Sequence, residues 1–565
     1  LNLLYGVREV FIEQENSYYC KSDSEIPLVS VTRLKLKSRI PIISLAIPLA
    51  LSAFTHLWNP IGFPAIHGDE NTYLLHSMQV LGAEGVLPTG APHYDHPYFG
   101  QIFLAAVWGT VGYPQILNPV PGDNYSIDTL YLVPRILMGL LAVVDTFLIY
   151  KIADTRYNRK VAFIAAVLFA VMPFSWLLRR VLLDNLLIPF LLSSIFFAVH
   201  LRRPKYESTS GIKNLSTVLV SGIFLGLTIF TKMPTFTFIP LLGFLVYTNT
   251  NRDLKALSLW LIPVVLIPAI WPFLAASAGQ FDNWYENIIE QATERQSEPL
   301  VDSLKDFLTI DPVLFSLGIA GLVFAALRKD LFVLLLAIPY LIFLQLIAFV
   351  DVVHLVLLLP AFCIGSARMI IETTEYVISK MKFKKERIKL LPLLAIIVCA
   401  IGVFGLVSTS MIITTKLNSS YFEAYAIVTG HIDQVLNNVN DTANADKPTL
   451  VGRYWAKAYL WITQYVFDKQ YSFVRDTSDR DIAELADSNN KASLVLVLDN
   501  ALKRQVLRDS VGDDGSSIQP IKSLYDKTHP LATLEGSSRT YDPDKYPYTS
   551  MRFTRDINDI EIRSN

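Results

Sequence analysis

At 565 residues, 52% hydrophobic and only 18% charged, the chain is too apolar for a soluble multidomain protein and has the balance of a membrane protein with one soluble portion. A net charge of −1 excludes the global basic bias of a nucleic-acid binder, so charge has to be read locally. Cys20, Cys363 and Cys399 are too few and too scattered for a disulfide framework or a metal-cysteine cluster.

In chain order, residues 1–39 come first. Of these, 1–32 hold Glu9, Glu13, Glu15 and Tyr18, without the basic start and apolar run of a cleaved secretory signal, and the segment is expected to lie in the cytoplasm. A spanning helix needs about 20 mostly apolar residues. Such runs fall near 40–58, 130–150, 161–178, 181–200, 216–231, 234–248, 256–275, 312–327, 331–350, 352–371 and 390–413, about eleven spans within a transmembrane domain over 40–413. Arg33, Lys35, Lys37 and Arg39 precede the first run, which places the N-terminus inside. Basic clusters at 151–160, 202–213, 328–329 and 380–389 then share that side, provided that residues 59–129 form one long outer loop. The apolar stretch 98–112 within that loop is therefore expected to lie along the outer surface as a helix. A second outer loop, 276–311, contains FDNWYENIIEQATER and is expected to carry another surface helix. Eleven spans leave 414–565 outside as a small α/β domain. TLVGRY (449–454) and SLVLVLD (493–499) read as buried strands, and 455–467, 479–488 and 500–509 as helices. DSVGDDGSS (509–517) reads as a loop and not as a nucleotide-binding signature.

The residues suited to chemistry collect on the expected outer side. HGDENTYLLHSMQVLGAEG (67–85) opens with Asp69 and Glu70 at the start of a helix, and Asp69, Tyr73 and His76 recur at i, i+4 and i+7, on one face. A helix N-terminus favours an ionised carboxylate, the form a general base needs, although a capping role fits the same residue. PHYDHPYFGQIFLA (92–105) then brings Asp95 and His96 ahead of the surface helix. Arg135, Arg179, Arg180, Asp184 and Lys232 stand at outer ends of the second to fifth runs. Taken singly, each such cation is explained by snorkelling. Gathered on the side that the positive-inside bias disfavours, they read as a phosphate site.

Together the DE pair, the DHPYFG segment, Arg135, RRVLLD (179–184) and the TK at 231–232 resemble the C-type glycosyltransferases over roughly residues 40–370. The likeness is greatest to the protein O-mannosyltransferase branch, with the aminoarabinose lipid A transferases as more distant relatives. That resemblance implies a polyprenyl- or dolichyl-phosphate sugar as donor and the outer-loop carboxylate, here Asp69, as base. The mannosyltransferase HPPLGK pattern is HPYFGQ here, from His96 to Gln101, without the second Pro and the Lys. The second outer loop is too short for the β-trefoil insert of eukaryotic members.

The expected reaction is transfer of a hexose, mannose by preference, to a protein, lipid or glycan hydroxyl on the outer face, with inversion. Asp69 takes the acceptor proton. Glu70, Tyr73 and His96 orient groups around the sugar, and Arg135, Lys232 and one of Arg179 or Arg180 stabilise the departing phosphate, with Asp184 holding a cation in place. No metal or other cofactor is called for, although Asp69, Glu70, His76, His93 and His96 offer oxygen and nitrogen donors and leave metal dependence open. The membrane expected is a prokaryotic cell membrane, with the endoplasmic reticulum as alternative. A transporter or lipid flippase, or a non-catalytic subunit of the same fold, are the competing readings; a transporter would carry its charges near the midplane.

Overall fold

The computed structural model describes the chain from residue 29, except residues 65, 67, 83–84, 87–93, 118–119, 121, 202–209, 295–298, 348, 381–383, 415–418, 439–447, 453–471, 476–478, 487–492, 509–518 and 536–558. It divides into two compact units, Leu1–Ala46 and Ile47–Asn565. Apart from the range of the first helix, which begins in the first unit, all that follows concerns the second.

Helices dominate as far as residue 438. They are α1 (Val29–Leu57), α2 (Gly68–Leu81), α3 (Phe99–Val111), α4 (Asn124–Arg156), α5 (Arg159–Val171), α6 (Leu183–Val199), α7 (Ser210–Ile229) and α8 (Ile239–Asn249). There follow α9 (Leu254–Ser277), α10 (Phe281–Ile289), α11 (Leu300–Ile310), α12 (Pro312–Leu327), α13 (Leu331–Leu346), α14 (Leu359–Lys380), α15 (Lys384–Ile413) and α16 (Ser419–Asn438). Short turns between them are closed by side chains that satisfy the first free N–H groups. Asn158 accepts from Lys160 and Val161 N–H, Asp253 from Lys255 N–H and Asp330 from Phe332 N–H.

Each of the eleven expected runs falls on helical structure. Length separates them. Among the described residues, four helices are long and apolar enough to cross a membrane: Ile127–Arg156, Leu254–Ser277, Val352–Lys380 and Ile396–Ile413. A fifth is reached if α5 and the 3-10 segment Pro173–Arg179, bent by 68° at Met172, count as one span. The remaining apolar helices are of 10–17 residues, so a count of eleven stays an expectation from the sequence. With α9 exposing Ile262, Val265, Leu266 and Phe273 along one apolar flank, the chain is an integral membrane protein. At 13 residues, α3 is about 20 Å long and too short to cross a bilayer alone.

Small residues let neighbouring helices touch backbone to backbone. A Cβ at Gly226 of α7 would lie 2.5 Å from the Pro263 carbonyl of α9. One at Gly321 of α12 would lie 2.6 Å from the Ser366 nitrogen of α14.

Residues beyond 438 form a mixed sheet with strands β1 (Thr449–Gly452), β2 (Ser472–Arg475), β3 (Leu494–Leu498), β4 (His529–Leu534) and β5 (Ile560–Ser564), in the order β2-β1-β3-β5-β4. The pairs β1–β2 and β1–β3 are parallel, with Leu450 opposite Val495, and β3–β5 and β4–β5 are antiparallel, with Val497 opposite Ile562. Both expected strands are present, buried along their length as parallel strands are. Helices α17 (Asp479–Ala486), α18 (Asn500–Arg508) and α19 (Gln519–Lys527) supply Ile482, Leu502, Val506, Ile521 and Leu524 to a core with Val451, Leu494, Leu496 and Leu498. The expected helix at 455–467 and the loop 509–517 lie outside the described residues.

Candidate active site

Three 3-10 segments interrupt the helical runs: Pro173–Arg179, Met233–Phe238 and Val352–Leu358. Pro173 and Pro234 sit in the first turn of two of them, where a missing N–H costs nothing. The third is opened by Asp351, whose side chain accepts from Val353 N–H at 3.3 Å, while Asp351 N–H donates to His354 Nδ1 at 3.1 Å. Each interruption leaves charged residues at its edge: Arg179 and Arg180, Lys232, and Asp351 with His354.

Asp69 and Glu70 lie in the first turn of α2, where the helix dipole favours negative charge. Neighbours on a helix point about 100° apart, and here the consequence is complete separation: Asp69 is exposed and Glu70 wholly buried. Glu70 Oε2 pairs with Arg135 Nη2 at 2.6 Å, and its Oε1 accepts from Val181 N–H at 2.9 Å. The other nitrogen fork of Arg135, Nη1, donates to the carbonyls of Pro60 (3.0 Å) and Pro64 (2.8 Å). Glu70 and Arg135 therefore hold the 60–64 loop, α2, α4 and the Arg180–Val181 strand-like link together. This differs from the sequence expectation that gave Arg135 to a phosphate and Glu70 to the sugar. The reason is that a buried carboxylate recruits the nearest guanidinium.

Arg179 is also buried, donates to the Trp58 carbonyl and lies over the Phe63 ring, and its Nε and Nη1 have no hydrogen-bond partner. Arg180 packs on Trp176, leaves Nε unpartnered, and has Glu70, Arg135, Asp351 and Asp69 as its charged neighbours. Asp311 fixes the start of this segment, its two carboxylate oxygens accepting from Leu314 N–H (2.8 Å) and Phe174 N–H (3.1 Å).

Across the cluster, Lys232 Nζ meets Asp184 Oδ2 at 2.6 Å, and Asp184 Oδ1 has no hydrogen-bond partner. His354, His96 and Lys232 are the charged or titratable neighbours of Asp184. The DHPYFG segment is pressed onto this pair. Phe99 N–H donates to the Phe230 carbonyl at 3.1 Å, and a Cβ at Gly100 would lie 2.3 Å from Leu183 Cδ2. His96 stands with Asp95, Lys232, Asp184 and Asp69 around it, its ring 6.1 Å from that of Tyr73. Burial pushes its imidazole below the ordinary 6.5, with Asp95 the largest opposing influence.

All nine site residues expected from sequence thus gather in one neighbourhood. His76, placed on the Asp69 face by its spacing, instead meets Gln101 at 3.2 Å and ties α2 to α3. Asp351 and His354 were not singled out from sequence, although the Asp-x-x-His spacing is a readable cap signal. Among the described residues no set of three or more His, Cys, Asp or Glu side chains is arranged for a metal ion, and His93 lies outside them.

The fold is similar to those of several solved proteins. It is similar to ArnT from Cupriavidus metallidurans bound to undecaprenyl phosphate, at TM-score 0.52 and 12% identity over 93% of this chain and 97% of the other. It is also similar to the Archaeoglobus fulgidus oligosaccharyltransferase in the apo form, at TM-score 0.58 and 11% identity over 91% and 82%. The oligosaccharyltransferase AglB of that organism, in complex with an inhibitory peptide and a dolichol-phosphate, matches at TM-score 0.58 and 10% identity over 94% and 89%. In sequence, residues 128–275 match the dolichyl-phosphate-mannose-protein mannosyltransferase family. No protein of curated function matches the chain in sequence.

Proposed function

We propose that the protein is a glycosyltransferase that moves a hexose, mannose by preference, from a polyprenyl or dolichyl phosphate to an acceptor hydroxyl on the outer face. The observation that carries this reading is the convergence of an exposed carboxylate, Asp69, with two buried cations, Arg180 and Lys232. Asp69 accepts the proton as the acceptor oxygen attacks the anomeric carbon from the face opposite the phosphate. The bond between that carbon and the phosphate oxygen breaks, giving inversion and a lipid phosphate with one more negative charge.

Arg180 and Lys232 receive that charge. Arg180 keeps an unpartnered N–H, and the Lys232 ammonium has three donors, of which Asp184 takes one. Glu70 and Arg135 serve as a scaffold that aims Asp69, and Arg179 holds the loop at Trp58. His96, with Tyr73 beside it, borders the sugar. A lipid carrier suits this site, because the isoprenoid stays in the bilayer while its phosphate meets the cations. The mannosyltransferase family match and the lipid phosphates bound to the two solved relatives support the same donor class. A serine or threonine hydroxyl of a protein is the acceptor we favour, with lipid and glycan hydroxyls as the alternatives.

The test is incorporation of radiolabelled mannose from synthetic polyprenyl-phosphate mannose into a Ser/Thr peptide by purified protein. Wild type incorporates label, and Asp69→Asn falls by at least about a hundredfold while still binding the lipid phosphate. Undiminished transfer by Asp69→Asn would remove the base.

A further inference from the structure

A path of buried side-chain contacts runs from the Asp69-bearing helix to α16. Asn71, two residues after Asp69 on α2, accepts through Oδ1 from the Tyr131 hydroxyl of α4, with both side chains buried. Tyr131 lies one turn before Arg135 on the same face of α4 and has Glu70 and Arg135 as charged neighbours. The hydroxyl of Tyr425 of α16 is its next polar neighbour, and the Tyr131 ring lies 5.2 Å from that of Phe422, one turn earlier on α16. Tyr425 and Phe422 are themselves buried.

α16 bridges α4 and the C-terminal sheet. It packs on β4 and β5, and His431 meets Ser564 at 2.9 Å. Near its middle, Gly430 comes so close to the outer loop that a Cβ on Gly122 would lie 3.6 Å from the Gly430 Cα. Phe422 and the backbone contact supply packing. The three polar side chains supply something packing does not need: each hydroxyl or amide, once buried, must find a partner, so the geometry of one constrains the next.

We propose that Tyr131 and Tyr425 are positioning residues, tying the Asp69-bearing helix to the C-terminal domain so that Asp69 is aimed only while that domain is docked. This rests on the reading of Asp69 as the base. It gives the C-terminal domain a part in turnover, with no substrate contact required of it.

The test uses the full-length protein with Tyr131→Phe, Tyr425→Phe and the double variant. Each keeps the ring and removes only the hydroxyl. The expected result is a fall in kcat of roughly five- to tenfold, the loss of one buried hydrogen bond, with KM for the lipid donor within about twofold. The double variant should be no slower than the slower single one, because both break the same path. Amide exchange across 68–81 should quicken in all three, with exchange in the distant pair α12 and α14 unchanged. Unchanged exchange in 68–81 would overturn the proposal, and so would a lower melting temperature with kcat intact, which would mark the tyrosines as packing residues. If Asp69→Asn stays active while Tyr425→Phe still loosens 68–81, the base assignment fails and the coupling stands.

Discussion

Asp69 and Glu70 are adjacent, chemically alike and oppositely placed, and the site is organised around that difference. Glu70 is committed twice over, to Arg135 and to Val181 N–H. Removing one member of so buried a pair leaves the other charge uncompensated. Arg135→Met should therefore cost about 3 kcal/mol or more of stability, and the double change Glu70→Leu with Arg135→Met should recover much of it, read as melting temperature in detergent. His96 gives a pH signature. Its imidazole is held below 6.5, so the folded state prefers it neutral. The stability this contributes is present above 6.5 and is lost as pH falls through the lowered folded value. A melting temperature that declines over this interval in wild type, and less so in His96→Gln, is the expected result. At this scale the sequence offered the residue types and their clustering. It did not tell which carboxylate is buried, because a helix N-terminus treats both alike until Arg135 arrives from 65 positions away.

Among the elements, the breaks matter as much as the helices. Pro173 turns α5 into a short 3-10 segment and so presents Arg179 and Arg180 at the level of Asp69, and Asp311 secures that turn. The apolar runs predicted the helices well, since a stretch that long has few alternatives to helix in a bilayer. The 3-10 interruptions were not legible, because Pro at a first turn is equally at home in an uninterrupted helix. Strands β2, β4 and β5 were missed for another reason. They are four to six residues long, and β5 pairs with β3 from more than sixty residues earlier, so nothing local marks it. The contact of α12 with α14 makes a direct prediction. Gly321→Ala places a methyl within 2.6 Å of backbone, which has no rotamer to yield, and should cost about 1–3 kcal/mol as the helices separate.

For the whole molecule, the open quantity is orientation, and it is measurable. With the three cysteines replaced, a single cysteine at exposed Asp282, in the segment 276–311 expected outside, should react with a membrane-impermeant maleimide in intact cells. One at exposed Lys329, between α12 and α13, should react only after lysis; the reverse pattern would invert the topology and move Asp69 inside. The sequence by itself determined that the chain lives in a bilayer, that a set of ionisable residues stands at the ends of the apolar runs, and that strand-forming segments of an α/β portion lie within 414–565. Those properties follow from hydrophobicity and local periodicity, which each segment carries without help. Only the tertiary structure decided which charges neutralise one another. Four cations expected to face a phosphate resolved into Arg135 on Glu70, Lys232 on Asp184, and Arg179 and Arg180 with unpartnered N–H groups, and Asp351 and His354 joined them unannounced. Burial makes each of those choices, because a charge taken out of water must find its partner in three dimensions, and sequence separation sets no limit on where that partner is found.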